Sequence, residues 1–151
     1  MRIHLLAALG ILALLAPACK HKDPLPIDKE KSEGRDIPRE IAVGNLKTLL
    51  PSCTEVVCTF PRETLKQSDI QLWNVGNDGF EIRPAKAKVL ALNYADITGT
   101  ALEKVGKVVH VKLFSTVQKD PAREHLYFVW TLEEKGREAI QLFEALRKKP
   151  Q

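Results

Sequence analysis

The chain has 151 residues, with 44% hydrophobic and 28% charged side chains and a formal net charge of +4. That is enough apolar material for one core and not for two. The excess of cations is small and dispersed, which argues against a nucleic-acid partner.

The N-terminal residues carry a targeting pattern. Arg2 and His4 precede the uncharged run Leu5–Leu15, LLAALGILALL. Its length suits the apolar core of a signal peptide and is short for a bilayer span. Ala16-Pro17-Ala18 follow as small residues, then Cys19, and then the polar stretch Lys20-His21-Lys22-Asp23. Ala16-Pro17-Ala18 reads equally as an ordinary A-x-A cleavage site that releases a soluble protein. The chain has three Cys, an odd number. In an exported protein an unpaired thiol calls for a role, and a modification of Cys19 would leave Cys53 and Cys58 as a pair.

Leu15-Ala16-Pro17-Ala18-Cys19 resembles the lipobox of bacterial lipoproteins, although Ala16 stands where the family usually has Leu. The resemblance covers the first nineteen residues. It implies a signal peptide over 1–18 and acylation at Cys19. It also implies a lipid-anchored envelope protein, a membrane contact that rests on acyl chains. Lys20 follows the Cys in place of the Asp that retains such proteins at the inner membrane. The implied address is therefore the periplasmic face of the outer membrane.

Residues 19–40 read as the lipidated N-terminus and a tether, rich in charge and interrupted by Pro24, Pro26 and Pro38. A single β-rich domain is expected over 41–151. Ile41–Leu50 fits one stripe of a short helix through Ile41, Val43, Leu46, Leu49 and Leu50; Gly44-Asn45 could also break it. Cys53 and Cys58 have four residues between them. In an oxidising compartment the spacing is compatible with a local disulfide. A redox pair usually has two intervening residues, and a zinc site would need two further ligands, for which the domain offers only His110 and His125. Reduced thiols are the remaining alternative.

From Asp69 the pattern turns to β. Ile70–Trp73 is a short apolar run, and Gly76-Asn77-Asp78-Gly79 is a turn signal. Phe80–Pro84 alternates, and Lys86–Tyr94 places Leu90, Leu92 and Tyr94 on one face. Ile97–Leu102 is expected as a short strand. Lys107–Val117 sets Val109, Val111 and Leu113 against His110, Lys112 and Thr116. A turn at Lys119-Asp120-Pro121-Ala122 returns the chain as His125–Thr131, with Leu126, Phe128 and Trp130 on one face. Leu132–Lys148 reads as a helix with a Thr131/Glu134 capping box. Glu133 and Glu134 suit its positive end, and Arg147 and Lys148 its negative end. Its stripe runs through Leu132, Ala139, Ile140, Phe143 and Leu146, and Gly136 on the stripe allows close approach to a sheet.

This order predicts an α+β fold, an antiparallel sheet or partly open barrel capped by one C-terminal amphipathic helix. The stretches Leu92–Ile97, Val108–Phe114 and Leu126–Trp130, followed by EEKGREAIQLFEAL, resemble the pleckstrin-homology-like superfold, including bacterial PH and GRAM-type domains. The resemblance covers a little under half of the chain. The usual first strand and its basic loop are not apparent between Thr54 and Gln71, and no ligand residue is carried over. The superfold implies binding and scaffolding more than catalysis.

Catalytic constellations are not apparent. His110 and His125 read as strand histidines, Ser115 lies on a core face without a glycine elbow, Asp96 suits a turn, and Glu133 and Glu134 suit the helix start. The chain contains no P-loop, dinucleotide fingerprint or HExxH. No metal or cofactor is expected, and no enzyme. Trp73 and Trp130 are candidates for the core or for a pocket wall. The expectation is an envelope lipoprotein whose domain is a protein-interaction or accessory module for another envelope protein. The alternative is a carrier of a small apolar ligand or lipid.

Overall fold

The computed structural model describes residues 36–59, 62–117 and 124–148. The leader, Cys19, the tether up to residue 35 and the turn at 119–122 lie outside the described residues.

The first element is α1, Arg39–Leu49, so the final two tether positions are helical. Gly44 does not break it, because the stripe Ala42, Val43, Leu46 and Leu49 is buried while Gly44 faces solvent. A 3-10 turn at Leu50–Ser52 leads into β1 (Glu55–Thr59) and β2 (Arg62–Lys66). Then come β3 (Ile70–Val75), β4 (Gly79–Pro84), β5 (Leu90–Asn93), β6 (Ile97–Val105), β7 (Val108–Ser115) and β8 (Glu124–Trp130). The helix α2, Glu133–Arg147, closes the domain.

All the strand pairs are antiparallel, and they form an interrupted meander. One sheet has the order β2-β1-β8-β7-β6, and the other β3-β4-β5. Each strand pairs with its chain neighbour except at β2/β3 and β5/β6, and β8 returns to β1. At both interruptions a 3-10 turn, Gln67–Asp69 or Tyr94–Asp96, replaces the hairpin. The result is the expected α+β fold, two open antiparallel sheets followed by a C-terminal helix.

Register shifts bend the larger sheet. Leu113 opposes Leu126 and Phe114 opposes Glu124, which leaves His125 as an extra residue on β8. Ile97 opposes Ser115 and Gly99 opposes Phe114, which leaves Thr98 extra on β6. Bulges therefore flank Phe114 on both sides, and each adds local twist. Their carbonyls find partners: Arg147 Nη1 donates to Thr98 O at 3.2 Å, and Thr59 Oγ1 to His125 O at 3.2 Å.

The core joins both sheets to α2 through rings. Phe128 lies 5.8 Å from Phe80 and 5.9 Å from Phe143, centroid to centroid, and Phe80 lies 6.0 Å from Phe143. Trp130 and Tyr94 flank this triangle. Trp130 Nε1 donates to Ser52 Oγ at 3.1 Å, and Ser52 in turn donates to Leu49 O at 2.7 Å, which satisfies the buried indole. Arg39 ties three elements: Nε donates to Asn77 O at 3.0 Å and Nη1 to Leu146 O at 3.1 Å, near the negative end of α2.

Helix α2 differs from expectation at its start. Its N-cap is Leu132, with no side-chain cap, so the Thr131/Glu134 capping box is not formed. Thr131 lies one residue too early for its hydroxyl to reach the third amide. Leu132 itself is exposed, and the buried stripe is Gly136, Ala139, Leu142, Phe143 and Leu146. Gly136 does permit close approach: a Cβ there would lie 2.9 Å from both Leu102 Cδ1 and Val109 Cγ2.

Candidate functional site

The sequence candidates for chemistry do not converge. His110 sits opposite Val129 on β7, whereas His125 is the bulged residue four positions earlier on β8. About 13 Å of strand separates those two points on β8. His110 stacks on Tyr127 at 4.8 Å. Burial pushes its pKa down, against the opposing pull of Glu103. Burial also lowers the pKa of His125, whose Nδ1 has no hydrogen-bond partner among the described residues. Ser115 is fully buried and its hydroxyl accepts from Val117 N–H at 3.1 Å. Asp96 ends a 3-10 turn, and its carbonyl accepts from Thr116 N–H at 3.0 Å. Glu133 engages Arg137 and Lys104, which hold its carboxyl below the usual range. Among the described residues no group of three or more His, Cys, Asp and Glu could hold a metal ion.

Cys53 and Cys58 are both buried and are not joined to one another. The sequence spacing allowed a loop, but β1 runs extended from Glu55. With residues 55–57 extended, Thr54 and Cys58 stand about 13 Å apart, and one further Cα step of about 3.8 Å leaves Cys53 at least about 9 Å from Cys58. A disulfide needs Cα atoms within about 7 Å. Burial pushes the Cys53 thiol up to about 12.

Trp130 belongs to the core, whereas Trp73 is half-buried on β3. The space beneath α2, where an apolar ligand would sit, is filled by Phe80, Phe128 and Phe143. A cleft of about 480 Å³ at the β3–β4 turn is bordered mainly by polar groups, among them Asn74, Asp78, Glu81, Asn93 and Asp96.

The interrupted meander leaves edges at β2, β6, β3 and β5. Proteins commonly blunt such edges with charge or shortness. β2 carries Arg62 and Lys66, both exposed. β6 carries Glu103 and Lys104, paired with Lys112 and Glu133. β5 has only four residues. β3, IQLWNV, has no charge, and Leu72 on it is 46% exposed.

The hydrogen-bond phase of β3 follows from its turn. Gly76 N–H donates to Gly79 O at 2.8 Å, so Gly76 and Gly79 form a bonded pair. Antiparallel pairs alternate. Asn74 therefore bonds to β4 through Glu81, while Trp73 and Val75 direct their N–H and C=O groups to the free edge. Helix α1 packs beside β3 and meets the turn through Arg39 and Asn77, at the Val75 end. The neutral stretch around Leu72 and Trp73 is the candidate site. The sequence marked this run as apolar-rich but not as an edge, because edge status depends on which strands pair.

No protein-family model and no curated protein matches the chain.

Proposed function

We propose that this chain is an envelope lipoprotein, acylated at Cys19, whose domain docks an extended segment of another envelope protein along the free edge of β3. The observation that carries the reading is this edge: an uncharged strand with outward-facing backbone groups at Trp73 and an exposed Leu72. Strand addition takes its affinity from such main-chain groups and its selectivity from alternate side chains. The filled interior supports docking over carriage of an apolar ligand. The membrane contact in this reading is the acyl group on Cys19.

Site-specific photocrosslinking in cells tests it. A crosslinker at position 72 or 74 should recover one reproducible envelope partner, and Leu72→Lys should weaken that capture about tenfold or more, as an edge charge does. Position 72 is exposed, so the variant should keep its stability within about 0.5 kcal/mol. Absence of any reproducible adduct from both positions would refute the docking site.

A further inference from the structure

We infer that the segment docking on β3 carries a cationic side chain, Lys or Arg, two residues away from an apolar one, and that the cleft at the β3–β4 turn receives the cation. The inference rests on the docking reading above and names the chemistry of the partner. Val75, Phe80, Ile82 and Leu92 are buried and mark the inner face of the three-stranded sheet. Their neighbours Asn74, Glu81 and Asn93 therefore stand on its outer face, and Leu72 shares that face with Asn74. Asn74, Glu81 and Asn93, with Asp78 of the turn and Asp96 beyond β5, border one cleft of about 480 Å³.

Side-chain alternation fixes where a docked strand places its groups. The residue opposite Trp73 exchanges backbone bonds with it and turns inward, so the residues on either side, opposite Leu72 and Asn74, turn outward. The position opposite Leu72 meets an exposed aliphatic group and suits an apolar side chain. Arg83 of β4 stands beside Leu72 and disfavours a second cation there. The position opposite Asn74 opens on the cleft, about 10 Å from the Cα of Glu81, a gap that a long cationic side chain and a carboxylate close together. Among the described residues the cleft wall holds three carboxylates, Asp78, Glu81 and Asp96, and no Lys, Arg or His, although the chain as a whole carries a net charge of +4. Arg83 offsets part of the charge on Glu81, and Asp78 and Asp96 add two further negative charges. Complementary charge of this kind fixes the register of a partner and rejects acidic segments.

Backbone amide NMR of the full chain in uncharged detergent micelles tests it with a synthetic peptide, Thr-Thr-Lys-Thr-Leu-Thr-Thr, and its counterparts with Gln or Glu in place of Lys. Binding should move the amides of residues 73 and 75 on the free edge, and the Lys peptide alone should also move those of residues 78 and 96. The Lys peptide should bind about three- to tenfold more tightly than the Gln peptide, and the Glu peptide should be the weakest. The advantage of Lys should vanish at about 1 M salt, where exposed charges are screened. It should also vanish in the triple variant Asp78→Asn, Glu81→Gln, Asp96→Asn, whose affinity for the Gln peptide should match that of the wild type. Asp78→Asn alone, at an exposed turn position, should remove part of it. The contrast between Lys and Gln peptides is read on the wild type and needs no variant to fold. Equal affinity for these two peptides, with the edge amides moving, overturns this inference and leaves the docking edge standing. If no peptide moves residues 73 and 75, the docking edge falls and this inference with it. A preference for Lys that persists in the folded triple variant overturns the cleft as its source.

Discussion

Gly79 and Gly44 should respond to alanine with opposite signs. Gly79 opens β4 opposite Asn93 of β5. A Cβ there would sit 2.3 Å from Leu92 O, 2.9 Å from Asn93 Cα and 3.1 Å from Leu92 C. These are backbone atoms, so no side-chain rotation relieves the overlap. The β4–β5 pair would have to part by about 1 Å, and overpacking of that kind costs about 3 kcal/mol. Alanine restricts the unfolded chain and returns about 0.7 kcal/mol. The net loss is about 2 kcal/mol, or about 8 °C in Tm at about 4 °C per kcal/mol for a domain of this size. Gly44 lies on the exposed face of α1, with nothing within 4 Å of a Cβ. Alanine there should stabilise by about 0.5–1 kcal/mol through helix propensity and unfolded-state entropy. Urea unfolding followed by tryptophan fluorescence measures both, since Trp130 is 1% exposed and reports on the core. The reasoning fails if Gly79→Ala unfolds within about 0.5 kcal/mol of the wild type.

Stability should fall as the pH drops below about 6.5. Burial lowers the pKa of His110 and His125 in the fold, so the unfolded chain takes up protons first, near pH 6.5. The contribution is complete above that value and is lost as pH falls towards the folded values; His110→Gln with His125→Gln should flatten the dependence, and an unchanged slope would reject the assignment. Cys53, held up to about 12, should resist alkylation in the native protein by about three orders of magnitude relative to the urea-unfolded chain at pH 8. Iodoacetamide labelling with mass spectrometry measures that ratio. Ser52→Ala should cost about 1–3 kcal/mol in urea unfolding, because it strands the buried Trp130 Nε1–H.

The C-terminal half was legible because its periodicity is strong. β7 alternates buried and half-buried residues along its whole length, and Leu126, Phe128 and Trp130 recur at every second place on β8. The Gly76–Gly79 turn was legible from residue type alone. β1 and β2 were not. β2, RETLK, is an edge strand with one buried residue, Leu65, and so shows no apolar alternation. The β6–β7 turn was also missed: Gly106 has φ +60 and Lys107 has no positive φ, which is the pattern of a II′ hairpin turn, and β6 extends to Val105 in consequence. The cap at Thr131 failed by one residue, since a capping pattern carries no information about where the preceding strand stops. The candidate site was only half legible, because a hydrophobic run reveals a strand and pairing alone reveals its edge.

The two core thiols change the weight of the argument for the lipid anchor. With Cys53 and Cys58 set apart by an extended strand, an odd number of cysteines no longer singles out Cys19 by leaving a bridged pair. Thiols can still persist in an oxidising compartment when they are buried, because oxidation proceeds through the thiolate. At about 12, Cys53 supplies almost none. The anchor therefore rests on the apolar run Leu5–Leu15 and the small residues before Cys19. Metabolic labelling with palmitate isolates that claim from parity altogether. The wild type should incorporate label and Cys19→Ala should incorporate none, while Cys53→Ala and Cys58→Ala should label like the wild type. Equal labelling of Cys19→Ala and the wild type would remove the anchor from the proposed function and leave the β3 edge to be tested in a soluble protein.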